Sequence, residues 1–314
     1  TGRAARALAE EAGLPLVAEP SSNARSGANA LATGRLLLAG PLGRQVERVV
    51  VFGRPNLSRP VTALLARAGV EVVVVAARPD YVDPGWRASL VAGAVSVEPG
   101  PGDWLDAWRA ADAERSAGLA ADTDGALTGP ELARIVVGAV PPEQVLCLGN
   151  SNPIRDADLA PVRPDPGPVY ANRGLSGIDG TLATAAGVAL ATGAPTTLLC
   201  GDLAFVHDVG SLAIGPGEPR PTLRVVVADD GGGSIFATLE YGQDRFAESF
   251  ERVFATPTGL DLVALATGFG VPARRVATAA DVTAALAEPW SGLEVLVVDV
   301  DRSGRADEAR RLTD

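Results

Sequence analysis

Short apolar runs rich in β-branched residues alternate along the chain with stretches of helical period. Residues 48–52 (RVVVF) and 71–76 (EVVVVA) read as buried strands, with a helix between them over 60–68. Ahead of them, residues 2–12 read as a helix, 15–18 as a short strand and 21–27 as a polar loop. After the second strand, Arg78-Pro79-Asp80 is a stop signal, 95–97 reads as a short strand, and a helix runs from Gly102 to about Leu119. The pattern breaks over residues 120–129, where Asp122, Thr123, Asp124, Gly125 and Gly129 predict a linker. Thr128 can cap the next helix, with Pro130 in its first turn and Glu131 three residues on. Strands are then expected at 145–148, 169–170, 196–200, 223–228 and 295–300, and helices near 180–192, 208–214, 261–267 and 279–287. This alternation argues for parallel sheets joined by crossover helices. The expected fold class is α/β: two Rossmann-like three-layer domains with mostly parallel sheets and flanking helices, over residues 1–122 and 123–314.

Bulk properties narrow the function. A length of 314 residues suits two domains, and 47% hydrophobic with 21% charged residues is ordinary for a globular chain. No apolar run is long enough to span a membrane, and no signal segment opens the chain. Cys147 and Cys200 each sit inside an apolar run and are expected as buried thiols, which suits a reducing, cytoplasmic setting. A net charge of −11 argues against nucleic acid as a partner. An anionic small ligand would then need local arginines, a metal ion or oriented backbone amides. The chain begins at Thr1 and contains no Met, so it reads as a fragment with residues missing before Thr1.

Open parallel sheets bind ligands at the carboxyl ends of their strands. Three such ends carry unusual residues: Gly149-Asn150-Ser151-Asn152-Pro153-Ile154-Arg155, Gly201-Asp202, and Asp229-Asp230-Gly231-Gly232-Gly233-Ser234-Ile235-Phe236. One crossover fits between Asp202 and Asp229, which brings both carboxylates to neighbouring strand ends. Magnesium combines one or two carboxylates with phosphate oxygens and water, and the Gly231 carbonyl can approach because a glycine run lets the main chain come close. The amides near Leu203 and Ala204 offer a phosphate cradle.

The Gly-Asp…Asp-Asp pattern resembles the thiamine-diphosphate motif. With it stand the stretches Ala171-Asn172-Arg173-Gly174-Leu175-Ser176-Gly177-Ile178-Asp179-Gly180, Gly201-Asp202-Leu203-Ala204-Phe205-Val206-His207-Asp208 and Phe250-Glu251-Arg252-Val253-Phe254-Ala255-Thr256-Pro257. Together they resemble the 2-succinyl-5-enolpyruvyl-6-hydroxy-3-cyclohexene-1-carboxylate synthase (MenD) family of thiamine-diphosphate enzymes. The resemblance is strong from Thr128 to Val300; before Ala120 it rests on order and length. It implies the family's middle domain (1–122) and diphosphate-binding domain (123–314), with the N-terminal pyrimidine domain absent.

The resemblance implies a transferase that decarboxylates 2-oxoglutarate and adds the succinyl carbanion to isochorismate in menaquinone biosynthesis, inactive as this fragment. Thiamine diphosphate and Mg2+ (or Mn2+) are the implied cofactors, and a homodimer or homotetramer the implied assembly. Asp202, Asp229 and Gly231 would hold the metal. Ser151, Ile178, Gly201, Asp202, Leu203, Gly231, Ile235 and Phe236 would contact the cofactor, and Arg155, Arg173 and Ser151 the dicarboxylate substrates. No catalytic residue is assignable, because the activating glutamate belongs to the pyrimidine domain. Asp229 replaces a common Asn, and the glycine run carries an apparent extra residue before Ile235. His207, the single histidine, reads as structural beside Asp208, and Arg59 as a surface residue able to reach an anion. Two other readings stay open: an acetolactate-synthase-like enzyme, and a non-catalytic nucleotide-binding module. The second is weakened by the lack of G-x-G-x-x-G after a strand.

Overall fold

A computed structural model describes residues 1–76, 81, 83, 85–120 and 125–313. The chain forms two compact units, Thr1–Asp122 with Pro161–Asp165, and Thr123–Ala160 with Pro166–Asp314. The stop signal at 78–80 and linker positions 122–124 lie outside the described residues.

The first unit runs α1 (Gly2–Glu11), α2 (Gly34–Leu37), α3 (Pro41–Arg44), β1 (Arg48–Phe52), α4 (Arg59–Ala66), β2 (Glu71–Val75), β3 (Ala88–Ala92) and α5 (Gly102–Ala120). Its three strands pair in parallel in the order β1-β2-β3. Val72 and Val74 of β2 meet Val51 of β1 and Leu64 and Leu65 of α4 in one apolar cluster. Two expectations fail here. Residues 15–18 make only an isolated bridge, Leu16 to Ala30. The third strand is β3, with 95–97 irregular. The reason is that β3 is an edge strand with exposed central residues, so its Ala-Ser-Leu-Val-Ala composition carries little burial signal. The short helices α2 and α3 are too brief to show a period; α2 is held by Asp112 of α5, whose carboxylate accepts from Thr33 N at 2.6 Å.

The second unit continues with α6 (Gly129–Ala139), β4 (Val145–Leu148), α7 (Asn152–Ala157), β5 (Val169–Ala171), α8 (Thr181–Thr192), β6 (Thr196–Gly201), α9 (Asp202–His207), β7 (Leu223–Asp229), α10 (Ala247–Phe250), α11 (Leu262–Gly268), β8 (Ala273–Val276), α12 (Ala279–Ala287), β9 (Leu293–Asp299) and α13 (Arg305–Thr313). The six strands are all parallel, in the order β5-β4-β6-β7-β9-β8. Val225, Val226 and Val227 of β7 and Val295, Val297 and Val298 of β9 are fully buried. Helices cover both faces of such a sheet, so its central strands are continuous apolar runs. Thr128 caps α6, its hydroxyl accepting from Glu131 N.

The helix expected over 208–214 is only a 3-10 turn, Val209–Leu212, and α9 starts earlier, at Asp202. The Asp208 carboxylate is used elsewhere: it accepts from Leu182 N (2.6 Å) and Ala183 N (3.0 Å) and so caps α8. β8 is an unanticipated edge strand whose two central residues are exposed arginines. The fold class is as expected, α/β with parallel sheets flanked by helices. The chain passes from β4 to β5 on one side of it and then crosses from β5 to β6 on the other, so the direction of winding switches between β4 and β6. Such a switch opens a crevice at the strands' carboxyl ends. Among the described residues no helix is long and apolar enough to cross a membrane.

Candidate metal and diphosphate site

The turns after β4, β6 and β7 enclose a cavity of about 180 Å³ within the second unit. Gly149 lets the β4 turn pass close to β6: a Cβ there would stand 2.9 Å from the Cys200 Cβ. Ser151 adopts φ 72° and ψ −135°, a left-handed conformation that costs a non-glycine residue about 1–3 kcal/mol. Its carbonyl accepts from Arg155 Nη1 at 2.7 Å, which helps to hold that geometry. Asn152 Nδ2 donates to Ser234 Oγ at 2.7 Å, and Ser234 in turn donates to the Asp230 carboxylate. This relay fixes the loop after β7 to the loop after β4. The Asn152 Oδ1 is buried with no hydrogen-bond partner.

Asp202 opens α9 at the end of β6. Its carboxylate accepts from Leu203 N (2.7 Å) and from the Gly232 amide, yet its pKa is pushed up to about 7, first by burial and then by the nearby Asp230. Asp230 is raised to about 6, again first by burial, against the pull of Ser234, Arg302 and Arg305. Four carboxylates (Asp156, Asp202, Asp230, Asp301) border this cavity against two guanidinium groups (Arg302, Arg305). A site with that excess of negative charge accepts a diphosphate only together with a cation. Among the described residues no three His, Cys, Asp or Glu side chains gather to cage a metal alone. Two carboxylates, nearby carbonyls and an orphaned amide oxygen fit magnesium, which takes its remaining oxygens from phosphate and water.

The raised pKa values set a sign. Both folded-state values lie above the unfolded ones, so the folded chain carries more protons from about pH 4 to 7. These groups therefore favour the ligand-free fold most at the acid end of that window, and the benefit is lost as pH rises through about 6 and 7. A metal held between them would need the deprotonated carboxylates and would bind more tightly over the same range. Melting curves with and without magnesium thiamine diphosphate should diverge more at pH 8 than at pH 5; a gap that narrows with pH contradicts this assignment.

The structure brings Ser151, Ile178, Gly201 and Asp202 to the cavity wall, with Leu203, Ile235 and Phe236. It does not bring Asp229 there. The Asp229 carboxylate accepts from Arg275 Nη1 at 2.9 Å, and the same guanidinium bonds Asp299. Successive side chains at a strand end face opposite sides, so only one of the Asp229-Asp230 pair can face inward, and it is Asp230. Gly231 likewise stays off the wall, which is formed by Gly232 and Gly233. With Asp230 as the inward residue, Ile235 and Phe236 both reach the cavity, and the apparent extra residue displaces neither. The Leu203 amide is taken by Asp202 and does not serve as an open phosphate cradle.

Arg155 and Arg173 are also off the cavity wall. Arg155 binds the Ser151 carbonyl, and Arg173 Nη1 donates to Asn150 Oδ1 at 2.6 Å. His207 pairs with Asp179 at 3.5 Å in an exposed setting. Arg59 begins α4 in the first unit and is exposed. Cys147 and Cys200 are buried free thiols. Residues missed by sequence reasoning include Asn150, Asp156, Ser234, Arg302 and Arg305. The two arginines lie beyond the last strand, where no local motif marks them.

A larger cavity, about 260 Å³, lies beside Arg224 and Trp290. Arg224 is buried and its donors are spent on Glu294 and on the Leu286 and Glu288 carbonyls, while its guanidinium stacks 4.0 Å from the Trp290 ring. That cavity shares no lining residue with the carboxylate-lined one at the strand ends.

Residues 157–300 match the family model for the thiamine pyrophosphate enzyme, C-terminal TPP binding domain. The chain is 51% identical over 308 residues to the 2-succinyl-5-enolpyruvyl-6-hydroxy-3-cyclohexene-1-carboxylate synthase of Kineococcus radiotolerans, covering 94% of this chain and 55% of that protein. It is 46% identical to the synthase of the same name from Nocardioides sp. (99% of this chain, 61% of the relative) and 47% identical to that of Paenarthrobacter aurescens (98% and 57%). The chain thus spans a little over half the length of these curated relatives. Along that shared stretch it belongs to the 2-succinyl-5-enolpyruvyl-6-hydroxy-3-cyclohexene-1-carboxylate synthase family, whose thiamine-diphosphate chemistry suits the carboxylate-lined cavity at its strand ends.

Proposed function

We propose that the second unit holds the diphosphate of thiamine diphosphate through a magnesium ion, as part of a synthase that decarboxylates 2-oxoglutarate and joins the succinyl group to isochorismate in menaquinone biosynthesis. The observation that carries this is the facing of Asp202 and Asp230 across one cavity at adjacent strand ends, in a chain that matches a thiamine-pyrophosphate-binding domain. The two carboxylates would hold the metal, with a carbonyl from the Gly231-Gly232 turn. Ile178, Ile235 and Phe236 form an apolar wall that excludes water and supports the cofactor. Thiamine diphosphate, when bound, supplies the electron sink for loss of carbon dioxide from a 2-oxo acid. Arg155 and Arg173, on the loops after β4 and β5, would offer planar forks to substrate carboxylates from outside the cofactor cavity. In this reading the first unit is the family's middle domain, and the assembled enzyme is a homodimer or homotetramer.

Among the described residues lining the cavity none is a glutamate, so the group that activates the aminopyrimidine must come from elsewhere. The chain alone is expected to bind thiamine diphosphate in a magnesium-dependent way, read by calorimetry, without sustained carbon dioxide release from 2-oxoglutarate. Sustained release would overturn the division of the active site. Binding that ignores chelation of magnesium would overturn the metal assignment.

A further inference from the structure

Asn150 follows β4 and is buried at 2% exposure. Its side chain makes three contacts at once. Nδ2 donates to the Asn172 carbonyl (2.9 Å) and to the Gly177 carbonyl (2.6 Å), while Oδ1 accepts from Arg173 Nη1 (2.6 Å). The orientation of the amide is not arbitrary. Two carbonyls and one guanidinium surround it, and the flipped amide would set oxygen against oxygen and N–H against N–H. The segment it grips, residues 172–178, links β5 to α8 and includes Ser176 at φ 56° and a fully exposed Leu175. Its near end is also tied by a side chain, Asn172 Nδ2 donating to Thr184 Oγ1 at 3.0 Å. Its far end is fixed separately, by Thr181 Oγ1 on the Ile178 carbonyl and by Asp208 on the first amides of α8.

We infer that Asn150 is a positioning residue that sets two functional side chains together: Ile178 on the cofactor cavity and Arg173 beside it. One buried amide fixes the backbone on both sides of Arg173 and holds the guanidinium itself. The distance between the apolar support and the cationic fork is then a property of Asn150, and with it the length of dicarboxylate the site accepts. The inference rests on the cofactor reading above and deepens it.

The test uses the full chain and compares wild type with Asn150→Ala, Asn150→Asp and Val136→Ala. Val136 is a fully buried core residue of α6, and its truncation supplies a general loss of stability without touching the loop. Hydrogen exchange of the peptide covering 172–180 is read alongside calorimetry with magnesium thiamine diphosphate. Asn150→Ala should speed exchange of that peptide at least tenfold more than Val136→Ala does, leave strand β6 unchanged, and weaken cofactor binding about tenfold. Asn150→Asp removes the donors to both carbonyls and keeps the acceptor for Arg173, so it should free the loop as Asn150→Ala does. Equal loop exchange in Asn150→Ala and Val136→Ala overturns the inference, as does wild-type affinity in Asn150→Ala. A wild-type chain that binds no magnesium thiamine diphosphate overturns the cofactor reading instead, and is told apart because it fails before any substitution is made.

Discussion

Asp202→Asn should abolish magnesium-dependent binding of thiamine diphosphate and at the same time raise the melting temperature of the ligand-free chain. The two effects have one cause. Asp202 is a buried carboxylate with its pKa pushed up to about 7 and a second carboxylate, Asp230, nearby. At pH 8 both are charged, and without a cation their repulsion and lost hydration weigh against the fold. Asparagine keeps the acceptor for the Leu203 amide and removes the charge. In the proposed site it also removes a metal ligand. Loss of an outer hydrogen-bond partner already costs a metal site about 10–100-fold in affinity, so loss of a direct ligand should cost roughly 100-fold or more. At a ligand concentration 100 times Kd, wild type gains about 2.7 kcal/mol from binding; the variant should gain almost none. Asp230→Asn should behave alike. Asp229→Asn is the control: its carboxylate is spent on Arg275, so cofactor binding should persist. Loss of binding in Asp229→Asn, with binding retained in Asp230→Asn, would reverse the assignment.

Arg305→Ala should be the most destabilising single change at the chain's carboxyl end. Arg305 and Asp156 form an ion pair with side chains only 11% and 7% exposed, and Arg305 also bonds Glu308 at 2.9 Å. The pair joins α13 to α7 across 149 positions of sequence, and Gly129 packs against it so closely that a Cβ would lie 2.7 Å from the Asp156 carboxylate. Removing one partner strands a buried charge, which costs about 3–5 kcal/mol. For a unit of this size that is a fall of roughly 6–20 °C in Tm. Adding Asp156→Asn to Arg305→Ala removes the stranded charge and should recover much of the loss. A single variant that melts with wild type would show that the pair contributes no net stability.

What the sequence made legible was set by burial. β4, β6, β7 and β9 are enclosed on both faces, so their apolar runs announce them, and the cap at Thr128 is a local chemical pattern that folds where it stands. β3 and β8 are edge strands with exposed centres, and their residues answer to solvent as much as to the sheet. The carboxylate doublet shows the same limit at the site. Position alone marks 229 and 230 as a pair, but which of them faces the cavity is decided by Arg275, 46 residues later, and by Ser234. Arg302 and Arg305 reach the cavity only because the chain returns to it after its last strand. Contacts that depend on such returns leave no trace in local spacing.

Arg275 has a consequence beyond the order of three strand ends. β8 is the outer strand of the six-stranded sheet, and the far side of its backbone is the kind of edge on which a second molecule can add a strand. Its consecutive residues Arg274 and Arg275 project to opposite faces, each in an ion pair (Arg274 with Glu288, Arg275 with Asp229 and Asp299), so the rim carries charged groups above and below. A strand added there would have to strip water from these charged groups. The opposite rim, β5, is only three residues long and offers little length to copy. An otherwise apolar, fully parallel sheet is thereby kept from growing past its own boundaries, and the acid that seems surplus to the metal site is one of the anchors that hold this fence in place.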